Sequence, residues 1–470
     1  MNYPLYPFQS SFINRFVEEK SIILSHPMGT GKTRTAIECF LRLKRDNKVD
    51  RALVLTTASL IANFIDNIKL FCPQISYKII NRSSSHELGP DFNLISFSYF
   101  VKHFSKFDFS SSNFLIIDEF HHSKNEDTKT SEMLKKIRTG FEYFLPLTGT
   151  PFQNNVKEFI NLVEIVSNKN LFPLIEREFQ RKWDYRDSNF LKRFYYVVVK
   201  KKPLYGQIIG IKKPGRFRDL VSRYYDFVDL EKLPSYPKLT EENCEITLDQ
   251  FTQKKYDVSL SRLKKHLNYL DDEEDNERKL IRSINKLQYC RQTILNPLYS
   301  DNKYYLSPKV AQLIADLKKV ILDDDNRCLI YSNFVNAGVN TISYFLTKES
   351  IEHEVFIGDT SKEKRANVLK DFKSGKNRVV VFSNVGGEGL DLPQANKIFI
   401  IDPHFNPSIE SQMLSRARRI NSNWKEICVK RYLAKCINNS DTIDQKIFRI
   451  SEKKKSINNL ISDTIRGKSC

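Results

Sequence analysis

Residues 21–33, SIILSHPMGTGKT, pass from an apolar strand-like stretch through two glycines to a lysine and a threonine. RTAIECFLRLK then follows with the apolar spacing of a helix. A strand that turns through Gly29-Thr30-Gly31 into a helix starting near Lys32 is a phosphate cradle. Glycines let backbone N–H groups approach phosphate oxygens, and Met28 enters the same loop. Lys32 is spaced to reach the β- and γ-phosphates of ATP, and the Thr33 hydroxyl to ligate Mg²⁺. The glycine that usually opens the eight-residue pattern is absent, and His26 stands in its place.

Outward from this loop, short apolar runs recur: ALVLTT at 52–57, FNLISF at 92–97, NFLIIDEF at 113–120 and FLPLTGT at 144–150. Apolar runs bounded by polar turns and separated by amphipathic stretches read as buried parallel strands with crossover helices. The pattern restarts with CLIYSNF (328–334), EVFIGD (354–359), RVVVFSN (378–384), KIFIIDP (397–403) and EICVKRYL (426–433). Two runs of such units predict an α/β protein with two doubly wound parallel-sheet lobes, at 1–170 and 302–470. The stretch between, 171–301, is rich in Lys, Arg and Tyr and reads as a basic helical insert and hinge.

A second chemical signal lies roughly a hundred residues past the loop, the spacing a five-strand lobe needs. Leu115-Ile116-Ile117-Asp118-Glu119-Phe120-His121 sets two carboxylates at the carboxyl end of a buried strand. There Asp118 is placed to hold Mg²⁺ and Glu119 to orient and deprotonate an attacking water.

The chain has 470 residues, 40% hydrophobic and 28% charged, which excludes a disordered polymer and suits two cores. Its net charge of +19 suits a polyanionic partner, although Lys, Asn, Ile and Phe are abundant throughout. Eight scattered cysteines without a C-x-x-C pair argue against a zinc site or disulfide framework and favour a reducing compartment. The opening MNYPLYPFQSSF lacks a signal-peptide pattern, and no apolar run reaches membrane-spanning length, so a soluble intracellular protein is expected.

MGTGKT, DEFHHSKN and LTGTPFQNN together resemble helicase superfamily two, and more narrowly its Swi/Snf-like DNA translocases. Asp118–Asn125 and Leu147–Asn154 match that family's DE-x-H-x-x-KN and LTGTP-x-QN strings. Residues 379–420, VVVFSNVGGEGLDLPQANKIFIIDPHFNPSIESQMLSRARRI, resemble its fifth and sixth motifs almost throughout. The resemblance implies two RecA-like lobes with ATP and Mg²⁺ in the cleft between them and double-stranded DNA across both. In that setting Gln9 reads adenine, and Gly387 and Gly389 form a loop able to approach phosphate. Gln412, Arg416 and Arg419 fall in a Q-x-x-x-R-x-x-R string, with both guanidinium groups on one helix face acting as arginine fingers. His121, Thr148, Gly149 and Thr150 couple the γ-phosphate site to the track. Thr57, Ser59, Ser98 and Tyr99 contact the tracked strand's backbone without reading bases.

The resemblance covers about residues 5–450, with a brace-like ending at SDTIDQKI (440–447). Asn421-Ser422 in place of Gly-Gln, Asn296 before Pro297, and His26-Pro27 before Met28 point to a divergent branch, of the kind found in viral or mobile-element ATPases. The extent leaves no room for chromatin-reader domains, so nucleosome remodelling is not expected. The activity expected is that of a monomeric, sequence-indifferent duplex-DNA translocase. A strand-separating or branch-migrating helicase on forked DNA or RNA is the alternative enzyme, and a regulated ATPase subunit of a transcription complex the alternative assembly role.

Overall fold

The structure, a computed structural model, describes residues 4–82, 87–89, 91–107, 112–123, 128–149, 156–182, 207–230, 233, 235–268, 276–358, 360–383, 392–420 and 422–467. The chain divides into two units: Met1–Gln180 with Ile209–Lys232 and Ser456–Cys470, and Arg181–Ile208 with Leu233–Lys455.

The first unit is built on strands β1 (Ile23–Leu24), β2 (Ala52–Thr56), β3 (Tyr77–Ile79), β4 (Phe92–Ser96), β5 (Phe114–Ile117) and β6 (Tyr143–Pro146). Five of them form a parallel sheet in the order β3-β4-β2-β5-β6. Every residue of β2, β5 and β6 is buried, as expected of strands covered by helices on both faces. Helices α1 (Pro7–Glu19), α2 (Lys32–Arg45) and α3 (Ile61–Phe71) cover one face, where Phe12, Phe16, Ile37, Phe40 and Phe64 meet Val54, Leu94, Ile116 and Leu145. Isolated parallel bridges Ser21↔Phe144 and Leu24↔Leu147 set β1 beside β6.

Strands β7 (Phe179–Lys182) and β8 (Gln207–Ile211) form a two-stranded ribbon, and β9 (Tyr225–Asp226) pairs parallel with β1. Two residues are too few to show a period, so β9 has no signature in the sequence.

The second unit holds a six-stranded parallel sheet in the order β10-β15-β14-β11-β13-β12. Its strands are β10 (Lys238–Thr247), β11 (Cys328–Tyr331), β12 (Glu354–Phe356), β13 (Val379–Phe382), β14 (Lys397–Ile400) and β15 (Glu426–Lys435). The period of two divides β11, β13 and β14 between two cores. Cys328, Ile330, Val379, Val381 and Phe399 pack on one face, and Leu329, Tyr331, Val380, Phe382, Ile398 and Ile400 on the other.

Residues 171–301, read from the sequence as a separate insert, instead divide between the two units. Strand β10 lies within that stretch and is mostly exposed, so it carries no apolar alternation. Its registry comes from charge across the ladder to β15: Glu242 with Lys430 at 3.1 Å and Glu245 with Lys435 at 2.7 Å. The helices Gln250–Asn268 and Asn276–Leu295 belong to the second unit as well. SDTIDQKI leads into the helix Ile443–Arg466. Among the described residues no helix is long and apolar enough to cross a membrane.

Candidate functional site

The loop after β1 is closed by two glycines in the left-handed region, Gly29 at φ 78° and Gly31 at φ 76°. Gly31 ends the loop as the N-cap of α2, whose first turn carries no acidic side chain and no side-chain cap. A side chain on Gly31 is excluded twice over, by φ and because its Cβ would stand 2.8 Å from Gln9 Nε2. Gln9 is fully buried; its Nε2 donates to the Thr30 carbonyl (3.0 Å), and its Oε1 accepts from Tyr6 N–H (3.0 Å). The expected adenine-side residue therefore also braces the phosphate loop. Lys32 folds back over that loop, its Nζ donating to the Pro27 carbonyl at 3.2 Å, and Thr33 follows in the first turn of α2.

The carboxyl end of β6 lies between the loop and the acidic pair. Thr148 N–H donates to the Leu24 carbonyl (3.1 Å), Leu147 N–H to that of Ile117 (2.7 Å), and Phe120 N–H to that of Leu147 (2.9 Å). A Cβ on Gly149 would approach Met28 Cγ to 3.0 Å and Lys32 Nζ to 3.4 Å. Leu147, fully buried Thr148 and Gly149 thus touch the strand before the phosphate loop, the lysine within it and the turn after β5. Thr148 and Gly149, the residues expected to couple the two sites, therefore lie against the loop and Lys32.

Glu119 adopts φ 54°, rare for a residue with a side chain, and its N–H donates to Asp118 Oδ1 at 3.0 Å. The sharp turn sends consecutive carboxylates in different directions. His121, almost fully buried, brings Nδ1 to 3.0 Å from Glu119 Oε2. Burial, and then the Glu119 charge, hold the Asp118 carboxyl well above the ordinary carboxylate range, against the pull of Lys32.

Behind the loop stands a group with no counterpart in the sequence reading. His26, fully buried with its ring edge-on to Phe8 and Phe12, meets Asp226 Oδ2 at 2.7 Å through Nε2. Asp226, on β9, is also bonded by Arg15 at 2.9 Å. Burial lowers the His26 pKa more than Asp226 raises it, so the ring is neutral at neutral pH. His26 in place of a loop glycine was visible in the sequence; its partner two hundred residues away was not.

The final residues of β2 and β4, Thr56 and Ser96, are in register, which puts the following loops side by side. Thr57 Oγ1 lies 3.1 Å from Ser59 Oγ, and Ser96 Oγ, capping the helix Phe97–His103 through Tyr99 N–H, lies 3.3 Å from Ser98 Oγ. Thr57, Ser59, Ser98 and Tyr99 therefore form one hydroxyl-bearing surface at the same sheet edge as the phosphate loop.

In the second unit the helix Pro407–Leu414 bears Gln412 but stops before Arg416 and Arg419, which the sequence reading set on one helix face. Ser415 Oγ takes the Gln412 carbonyl (2.6 Å), and Arg416 and Ala417 N–H turn to carbonyls three residues back. Arg416 thus sits on a tight turn, held further by Leu392 N–H to the Arg416 carbonyl at 2.9 Å, and Arg419 follows just past it, its carbonyl accepting from Ser422 N–H at 3.0 Å. Thr150, Gly387 and Gly389 lie outside the described residues.

Comparison with known proteins matches residues 11–299 to the SNF2-related domain and 312–421 to the helicase conserved C-terminal domain. The chromatin remodeling factor mit1 of Schizosaccharomyces pombe is 22% identical over 98% of this chain and 33% of its own length. The ATP-dependent helicase FUN30 of Saccharomyces cerevisiae is 24% identical over 96% of this chain and 46% of its own. The putative ATP-dependent helicase/translocase YwqA of Bacillus subtilis is 24% identical over 97% and 48%. The chain thus spans less than half the length of these relatives. Among solved structures, the Sulfolobus solfataricus SWI2/SNF2 ATPase core in complex with dsDNA is 20% identical at a TM-score of 0.40, covering 99% of this chain and 96% of that one.

Proposed function

The chain belongs to the SNF2-related family, and from that premise we propose that it is an ATP-driven motor that moves along double-stranded DNA. The observation that carries the reading is the turn Leu147–Gly149, which touches the phosphate loop, Lys32 and the turn bearing the two acids at once. A change at the γ-phosphate therefore has a short, packed route to the sheet edge where Thr57, Ser59, Ser98 and Tyr99 stand.

ATP and Mg²⁺ fit the residues present. The N-terminus of α2, with no acidic side chain in its first turn, offers the positive end of its dipole to phosphate. Asp118 and the Thr33 hydroxyl are hard oxygen donors of the kind magnesium takes, and the strained charge balance at Asp118 asks for a cation. Bound magnesium supplies charge neutralisation along the phosphates. Lys32 holds the β- and γ-phosphates, and Glu119, oriented by His121, aligns water and accepts its proton. Arg416 and Arg419 supply charge to the γ-phosphate as it transfers. Hydroxyl contacts to phosphates, without base-edge readers, make the grip indifferent to sequence.

Turnover measured with blunt duplex, single strand of equal length and RNA tests this substrate choice. Duplex is expected to stimulate most, with binding that weakens by close to one decade per decade of salt for each phosphate neutralised. Preference for RNA would remove DNA from the reading.

A further inference from the structure

Among the described residues, the two largest fully buried side chains are both arginines of the second unit, Arg291 and Arg431. A guanidinium has five donors and a fixed charge, so burying it is unfavourable unless acceptors are already in place. Both find them on the same short stretch of chain.

Arg291, near the end of the helix Asn276–Leu295, donates through Nη2 to the Pro403 carbonyl and lies 3.6 Å from Asp402 Oδ1, with its face over Phe334 at 4.9 Å. Asp402 is held independently by Ser332 Oγ at 2.6 Å and Asn333 N–H at 3.0 Å. Arg431, on β15, donates from Nε to Glu410 Oε1 at 2.6 Å and from Nη1 to Glu241 Oε2 at 3.3 Å. Glu410 lies in the helix Pro407–Leu414, whose start is fixed by Pro407 and by the Asn406 side chain accepting from Ser408 N–H. The stretch 402–410 is thus pinned at its first residue and its last. Two residues later comes Gln412, and then the turn of Arg416 and Arg419.

We infer that Arg291 and Arg431 are positioning residues, two buried clamps on the segment 402–410 that set the turn carrying Arg416 and Arg419. Apolar side chains could fill the same volume with equal or better stability, but they would not fix direction as buried, charge-assisted hydrogen bonds to defined acceptors do. The inference rests on the reading of Arg419 as the group that meets the γ-phosphate, and the experiment separates the two.

Glu410→Gln keeps the shape and removes the charge that Arg431 grips. DNA-stimulated maximal turnover is expected to fall roughly 10- to 100-fold, as for other remote losses of orientation, with KM for ATP and DNA affinity within about twofold of the parent. Glu410→Asp, which keeps the charge on a shorter arm, reads the same quantity should the glutamine variant melt below the assay temperature, and is expected to recover part of the rate. The deciding readout is the double variant. If Glu410 acts through the arginine turn, Glu410→Gln with Arg419→Ala is no slower than Arg419→Ala alone. Losses that multiply, or a glutamine variant that keeps its rate, would overturn the inference. Arg419→Ala alone retaining full turnover would instead sink the finger reading, and the clamp role with it.

Discussion

Lys32→Ala and Glu119→Gln each bring DNA-stimulated ATP hydrolysis down to background, by different routes. Lys32 is bent over the phosphate loop with a carbonyl as its partner, and its charge also lowers the cost of an ionised Asp118. Removing it deletes a charge-assisted contact to phosphate of about 1.5–3 kcal/mol, so nucleotide binding weakens along with turnover. Glu119 makes no such contact; its neighbour is His121. The glutamine variant loses the proton acceptor, typically roughly 10²–10⁴ in rate, yet binds ATP as tightly as the parent. Steady-state turnover and equilibrium binding of a fluorescent ATP analogue separate the two. Turnover in Glu119→Gln well above background would show that another group activates water.

Arg419→Ala removes most of the DNA-stimulated rate while barely changing the affinity for ATP. An arginine that meets charge developing on the γ-phosphate contributes only as the reaction proceeds, and such a group typically supplies about 10³–10⁵ in turnover. It lies beyond the end of the helix Pro407–Leu414, its carbonyl accepting from Ser422 N–H, so its truncation leaves the helix intact. Single-turnover hydrolysis and ATP binding measured on the same preparation decide the matter. Collapse of affinity at an unchanged maximal rate would make Arg419 a ground-state binding residue.

The strands that carry this chemistry were legible because they are buried on both faces. ALVLT, FLII and VVVF are apolar runs with at most a closing threonine, FNLIS is broken within only by buried Asn93, and the loops after them carry the residues that the motifs picked out. The less legible elements share a different physics. Strand β9 is two residues long, and β10 is held by charges on its neighbour rather than by an apolar face. Q-x-x-x-R-x-x-R has helical spacing, but the helix stops at Leu414, where the Ser415 hydroxyl donates to the Gln412 carbonyl, and both arginines lie beyond it. His26 was noticed for the glycine it displaces, but its meaning lies in Asp226, which no local pattern connects to it.

Movement along duplex DNA is the central claim, and ATPase stimulation as a function of duplex length at fixed total base pairs tests it most directly. A translocating enzyme leaves through the ends, so a longer track holds it longer; the rate per enzyme should rise with length and level off once the duplex exceeds the average run. A response that is flat with length, from the shortest duplex that binds to the longest, would mean that DNA merely activates hydrolysis and that this protein does not travel along it.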